Sequence, residues 1–153
     1  MQQNETWYFS YGSNLSKQQM LRRTGSIPIS RTASLSDYQI AFRKVLVGDD
    51  VYATIIPAPG KVVQGVAYLG SPYAMAQLDV FEGLAENCYR RELVQVTALA
   101  GEILNCIVYI GEKFSSEAAV PSANYLNLIL TGAREHSLPT DYIEWIHTVA
   151  MGD

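Results

Sequence analysis

In the stretch GSPYAMAQLDVFEGLAENCYRR, residues 70–91, two carboxylates stand three residues apart on what reads as one short helix. Ser71 can cap it, Pro72 suits its first position and Gly83 suits its stop. Ala74, Met75, Leu78 and Phe81 form the apolar stripe. At about 100° per residue Glu82 lies roughly 40° from Leu78, inside that arc, whereas Asp79 lies about 100° away. Glu82 is therefore expected to point inward. One account of such a carboxylate is that it swings into solvent at the helix end or pairs with Arg90 or Arg91. The other is that burial raises its pKa toward neutrality, which suits a group that must accept a proton and then release it. Periodicity alone does not choose between them.

A second candidate lies near the N-terminus. In YFSYGSNLSK, residues 8–17, aromatic residues typical of a buried strand give way to Gly12, Ser13 and Asn14, after which Ser16 opens a helical stretch. A strand that breaks into such a turn presents successive unpaired backbone N–H groups, which suit an anion or a developing oxyanion. The same turn also serves as mere punctuation between elements. With no Arg or Lys in the turn itself, carboxylate or carbonyl oxygen is expected there before phosphate.

Other chemistries lose ground. There is no GxSxG, GxGxxG, Walker loop or HExxH, and PGKVV lacks the Ser or Thr that a P-loop places on magnesium. His136 and His147 stand in the C-terminal helical region without a second ligand at metal spacing, so helix-end or surface roles are expected and no metal or cofactor is. Cys88 and Cys106 are far apart, outside any CxxC motif, and are expected to be reduced and partly buried.

These groups must be positioned by a chain of 153 residues, long enough for one domain spanning residues 1–153 with its own core. A hydrophobic fraction of 48% with 17% charged residues is that of a folded protein. The net charge of -4 and scattered basic pairs such as Arg22-Arg23 leave no footprint for nucleic acid. No apolar run approaches the roughly 20 residues that span a bilayer, and MQQNETW lacks the regions of a signal peptide, so no membrane partner and a cytoplasmic location are expected.

Strand character runs through residues 7–10, 39–43, 51–56, 62–69, 89–99 and 102–110, the last two forming a hairpin about Ala100-Gly101. Helices are expected over residues 16–23, 72–81, 121–135 and 140–150, with EKFSSEAAVPSAN as a loop joining sheet to helix. That order predicts an α+β fold.

Taken together, YGSNL at residues 11–15, then ATIIPAPGKVVQGVAY, LDVFEG, YRRELV and PSANYLNLILTGAREHSLPTDYIEWI resemble the γ-glutamylcyclotransferase family, in that family's order and over nearly the whole chain. The resemblance implies a compact mixed β-barrel-like sheet with flanking helices and an active site in a cavity at one end. It also implies cleavage of a γ-glutamyl amide by cyclisation, giving 5-oxoproline and a free amine, with Glu82 of FEG as the catalytic glutamate. Substrate contacts fall by the same likeness on the loop Tyr8 to Asn14 (Tyr8, Tyr11, Gly12, Ser13 and Asn14), on Tyr125 of PSANY and on Tyr89. Asn14-Leu15 is closest to members acting on γ-glutamyl amino acids, and a homodimer is implied without any mark of its interface. LAENC, before Tyr89, departs from the family in lacking a glycine. The rival readings are the same reaction on another γ-glutamylated amine, and a γ-glutamyl-binding protein without turnover.

Overall fold

The computed structural model describes residues 4–152; residues 1–3 and 153, the ends of the expected 1–153 domain, lie outside the described residues. Strand β1 (Thr6–Ser10) leads through a single 3₁₀ turn (Ser13–Leu15) into helix α1 (Lys17–Thr24). The long strands β2 (Ser30–Val45) and β3 (Val51–Gly70) follow, then helix α2 (Pro72–Phe81), the hairpin β4 (Tyr89–Ala98) and β5 (Ile103–Gly111), and a short β6 (Phe114–Ala118). Helices α3 (Ala123–Glu135) and α4 (Thr140–Ala150) complete the chain.

The strands run in the order β3-β1-β5-β4-β2, and β2 pairs again with β3, which closes the sheet into a five-stranded barrel with β6 added along β2. Closure removes the open edges that a sheet otherwise exposes. Every pairing is antiparallel except β1 with β5, where Trp7 lies against Cys106 and Tyr8 against Ile107. The α+β class and the barrel-like sheet expected from the sequence are those observed. Because β1 sits between β3 and β5, Tyr8, Phe9 and Ser10 are all buried although successive side chains alternate faces. One core cluster joins Phe9, Phe42, Val66 and Val108 of the sheet to Ile129 of α3 and Ile146 of α4.

Several boundaries differ from those expected. Residues 30–38 belong to β2, where Ala33 and Leu35 are buried between small polar neighbours that face outward. Short side chains made this alternation inconspicuous in the sequence. The two expected strands at 51–56 and 62–69 form one strand: PAPGK is an excursion opposite Asp37, between the pairs Tyr38–Pro57 and Ser36–Val62. Asp37 has φ 68 and its Oδ1 accepts the Gly60 N–H at 3.0 Å, so the excursion is capped locally while the ladder continues. The expected loop at 112–124 contains β6, held to β2 at Arg43–Ala118 and Val45–Phe114. Helix α3 starts at Ala123, two residues after the expected start, because Ser122 is its cap and accepts from the Tyr125 N–H at 3.2 Å.

The element that ties helix to barrel is Gly132. A Cβ there would collide with the backbone of Leu15 and Ser16, so α3 lies directly against the chain just after the Gly12-Ser13-Asn14 turn. Gly132→Ala, although favourable for helix propensity, is expected to destabilise the protein by about 1–3 kcal/mol through overpacking. A urea titration would check this, with Thr131→Ala, at the exposed neighbouring position of the same helix, as a control that shows little change.

Candidate active site

The turn after β1 is fixed through its carbonyls. The Leu15 N–H donates to Gly12 O and the Ser16 N–H to Ser13 O, both at 3.0 Å, and Ser16 Oγ caps α1 by accepting from the Gln19 N–H. Tyr68 Oη donates to Asn14 O at 3.0 Å and lies 3.1 Å from His136 Nε2. His136 thus sits at the end of α3, as its helix-end expectation had it, and His147 is exposed in the last turn of α4. Among the described residues, no hydrogen bond of this segment uses the backbone N–H of Gly12, Ser13 or Asn14.

Opposite the turn, α2 ends as its sequence directs. Ser71 Oγ accepts from the Ala74 N–H, Pro72 opens the helix, and Gly83 takes φ 63, a left-handed conformation that glycine adopts without strain. Glu82 is the cap residue, with its side chain only 14% exposed. Ala74, Met75 and Leu78 are buried as expected, but Phe81 is about half exposed, so the inward arc passes from Leu78 to Glu82 and omits it. Arg90 pairs with Glu92 and Glu112, and Arg91 makes two bonds to Asp79 at 2.8 and 2.7 Å. Neither arginine reaches Glu82. Within LAENC, Asn87 takes the left-handed conformation, with φ 58.

Glu82 and the turn meet through Asn14. Its Nδ2 donates to Tyr8 Oη at 3.0 Å and to Glu82 Oε1 at 3.4 Å, while its Oδ1 accepts from Gln19 Nε2 at 3.2 Å and Arg23 Nη1 at 3.1 Å. Every polar atom of this buried amide is used, which fixes its orientation. Arg23 Nη1 lies 3.9 Å from Glu82 Oε1. Burial raises the Glu82 pKa from 4.5 to about 7; Arg23 and the Asn14 bond pull it down and Asp79 pushes it up, without offsetting the loss of water.

A cavity of about 170 Å³ opens between turn and helix. All eight residues singled out in the sequence (Tyr8, Tyr11, Gly12, Ser13, Asn14, Glu82, Tyr89 and Tyr125) line it. The tyrosines are held by their hydroxyls: Tyr11 donates to Tyr109 O at 2.6 Å, Tyr89 donates to Ala53 O at 2.7 Å, and Tyr125 accepts from the Ala53 N–H at 3.0 Å. Burial pushes all of their pKa values upward, so they remain neutral phenols. Sequence reasoning missed Arg23 and Gln19, although their i, i+4 spacing on α1 places them on one helix face toward the turn. It also missed Tyr109, Tyr52 and Cys88, which line the cavity and carry no local signal. Cys106 is fully buried, beyond the partial burial expected, and both thiols are free. Among the described residues no group of His, Cys, Asp and Glu is arranged to hold a metal ion, and no helix is long and apolar enough to cross a membrane.

Comparison with known proteins identifies the family. The AIG2-like family matches residues 62–146, a span containing Glu82, Tyr89 and Tyr125. The γ-glutamylcyclotransferase of Homo sapiens is 30% identical over 151 residues, spanning 95% of this chain and 79% of that protein. A solved γ-glutamyl cyclotransferase superposes with a TM-score of 0.86 at 29% identity, over 94% of this chain and 87% of that one. A yeast γ-glutamyl cyclotransferase specific to glutathione shares the fold at a TM-score of 0.69 and 15% identity, covering 96% of each chain. The chain belongs to the AIG2-like family. It is an enzyme of the γ-glutamylcyclotransferase type.

The position of Glu82 has a consequence for stability. A carboxyl whose folded pKa of about 7 exceeds its ordinary 4.5 contributes fully below pH 4.5 and loses that contribution as pH rises through about 7. The loss corresponds to about 3 kcal/mol. Glu82→Gln is therefore expected to match the native protein at pH 4 and to exceed it in stability at pH 8, by up to about 3 kcal/mol, in paired denaturant titrations.

Proposed function

We propose that this enzyme acts on a γ-glutamyl amino acid, cyclising the glutamyl group to 5-oxoproline and releasing a free amino acid, with Glu82 as the proton carrier. One observation carries the reading: the buried carboxyl of Glu82 and the Gly12-Ser13-Asn14 turn line the same small cavity and are joined through Asn14. Its size supports a division of the substrate. At about 170 Å³ it falls below the roughly 300–1,000 Å³ typical of sites that enclose drug-sized ligands, so the glutamyl half enters and the leaving half stays toward the mouth.

In such a substrate the α-nitrogen and the γ-carbonyl carbon belong to one molecule. Attack of the nitrogen forms the new C–N bond of a five-membered ring, and the amide C–N bond to the leaving nitrogen breaks, so neither water nor an enzyme nucleophile is needed. Holding the chain folded for this attack can lower the barrier by about 7–11 kcal/mol at the upper end. The open backbone N–H groups of the turn are assigned to the substrate's α-carboxylate or γ-carbonyl oxygen. Tyrosine ring faces cover the glutamyl methylenes. The α-nitrogen loses two protons, one as the ammonium becomes nucleophilic and one as the ring amide forms; ionised Glu82 takes each in turn and passes it to the departing nitrogen, which leaves as an ammonium while Glu82 ends ionised again. A pKa of about 7 lets one group do both near neutral pH. Two free thiols, at Cys88 and Cys106, suit the reducing cytoplasm to which we assign the enzyme.

Purified protein is expected to release 5-oxoproline from γ-glutamyl amino acids, with kcat/KM falling on the acid side of about pH 7 as Glu82 of the free enzyme is protonated. Glu82→Gln should lower kcat about 100- to 10,000-fold while binding persists, since the loss falls on proton transfer. A Gln variant that keeps a comparable rate, or a native enzyme that leaves every γ-glutamyl amide intact, rejects the assignment.

A further inference from the structure

Among the described residues lining the cavity, Arg23 alone carries a fixed positive charge, and the mechanism above gives it no part. It projects from the last turn of α1 with its side chain 25% exposed, and its guanidinium lies 4.8 Å from the ring centroid of the exposed Phe81. Tyr11 and Tyr89 are 7% and 8% exposed, so they close the deep end while Arg23 stands at the mouth. Of its five N–H donors, the bond to Asn14 Oδ1 at 3.1 Å uses one. The 3.9 Å separation from Glu82 Oε1 exceeds hydrogen-bond length, so the two charges are paired without a direct hydrogen bond and a substrate group can bridge them from the side.

We propose that Arg23 selects the leaving half of the substrate by pairing with the α-carboxylate of the amino acid being released; this rests on the cyclising reading above. The distances form a closed figure. Glu82 must come within about 2.6–3.2 Å of the leaving nitrogen to protonate it. In an α-amino acid that nitrogen and the carboxylate are joined through N–Cα and Cα–C bonds of about 1.46 and 1.52 Å, which places the nearer carboxylate oxygen roughly 3 Å from the nitrogen. A charge-assisted bond from a guanidinium to that oxygen spans about 2.7–2.9 Å. These three sides are spanned by a fourth, the 3.9 Å between Glu82 Oε1 and Arg23 Nη1. A leaving amine without a carboxylate completes only one side and leaves the arginine unpaired beside its ring. The planar fork of Arg23 also suits two-point capture of a carboxylate, and Phe81 beneath it holds the plane in place. The glutamyl half, deeper in the cavity, keeps the turn for its own oxygens.

The test uses two substrates that differ by that carboxylate alone, γ-glutamyl-alanine and γ-glutamyl-ethylamide, with kcat/KM for 5-oxoproline release measured for the native enzyme and for Arg23→Gln. The native enzyme should prefer the alanine compound by about tenfold or more, the range expected for a hydrogen-bonded charged pair. In Arg23→Gln the ratio of the two values should collapse toward one. Arg23 also holds Asn14 and lowers the Glu82 pKa, so a common loss on both substrates is expected of a merely positioning role. Equal loss with an unchanged ratio, or a native enzyme with no preference, overturns the inference while leaving the cyclisation intact. Absence of 5-oxoproline from both compounds with native enzyme overturns the cyclising reading itself.

Discussion

The structure depends on keeping one carboxyl out of water without pairing it fully. Transferring an ionised carboxylate to a protein interior is costly unless it is paired and hydrogen-bonded, and the usual result is a raised pKa. Helix α2 holds both solutions within one turn. Asp79 meets Arg91 in a two-bond pair at 2.8 and 2.7 Å at the protein surface. Glu82, three residues on, faces Arg23 at 3.9 Å and a long amide bond at 3.4 Å from Asn14, and its pKa rises to about 7. A closer arginine would hold the carboxylate ionised and deprive it of the capacity to return a proton. In the proposed mechanism the separation is therefore part of the chemistry.

Such a compromise requires that the groups around the carboxyl cannot drift. Asn14 is held through all of its side-chain polar atoms, and its carbonyl is held by Tyr68. Leu15, fully buried, and the close approach of Gly132 press the turn against α3. The tyrosine walls are anchored to backbone groups of the barrel at Tyr109 and Ala53. Closing the sheet leaves these strands without an edge along which to slip, so a cavity formed at one end keeps its shape. Near-attack geometry tolerates little displacement, and a rigid closed frame meets that demand better than loops alone.

The parts legible in the sequence are those governed by local rules. Ser71, Pro72 and Gly83 define α2 to the residue, and helical periodicity alone turns Glu82 inward. Phe81 breaks the pattern because it lies at the rim of the cavity, where an apolar side chain can stack beneath an arginine instead of entering the core. Residues 30–38 read poorly as strand because closure of the barrel, rather than large β-branched side chains, supplies their partners on β3 and β4. The excursion at PAPGK resembles a strand end because proline and glycine mark both turns and bulges. Among the parts of the site that escaped was Arg23, which in the sequence is half of a scattered basic pair. Its significance comes from α1 packing beside α2, a contact between segments about sixty residues apart that no local pattern encodes.

The assignment of proton transfer to Glu82 also follows from the other groups in the cavity. Cys88 lines it and has a nucleophilic atom, yet burial first and the nearby Glu82 second push its thiol upward, away from the thiolate that covalent catalysis requires. Tyr8, Tyr11, Tyr89 and Tyr125 are displaced in the same direction by burial, and their hydroxyls are engaged with the backbone or with Asn14. No histidine lines the cavity among the described residues. Arg23 offers donors only and no acceptor. One environment thus has opposite consequences: the dryness that makes the thiol and phenols inert brings a carboxyl to the point where it can gain and lose a proton at neutral pH. With the intramolecular nucleophile of the proposed substrate, such a group is the one chemical function that the proposed reaction asks of the protein.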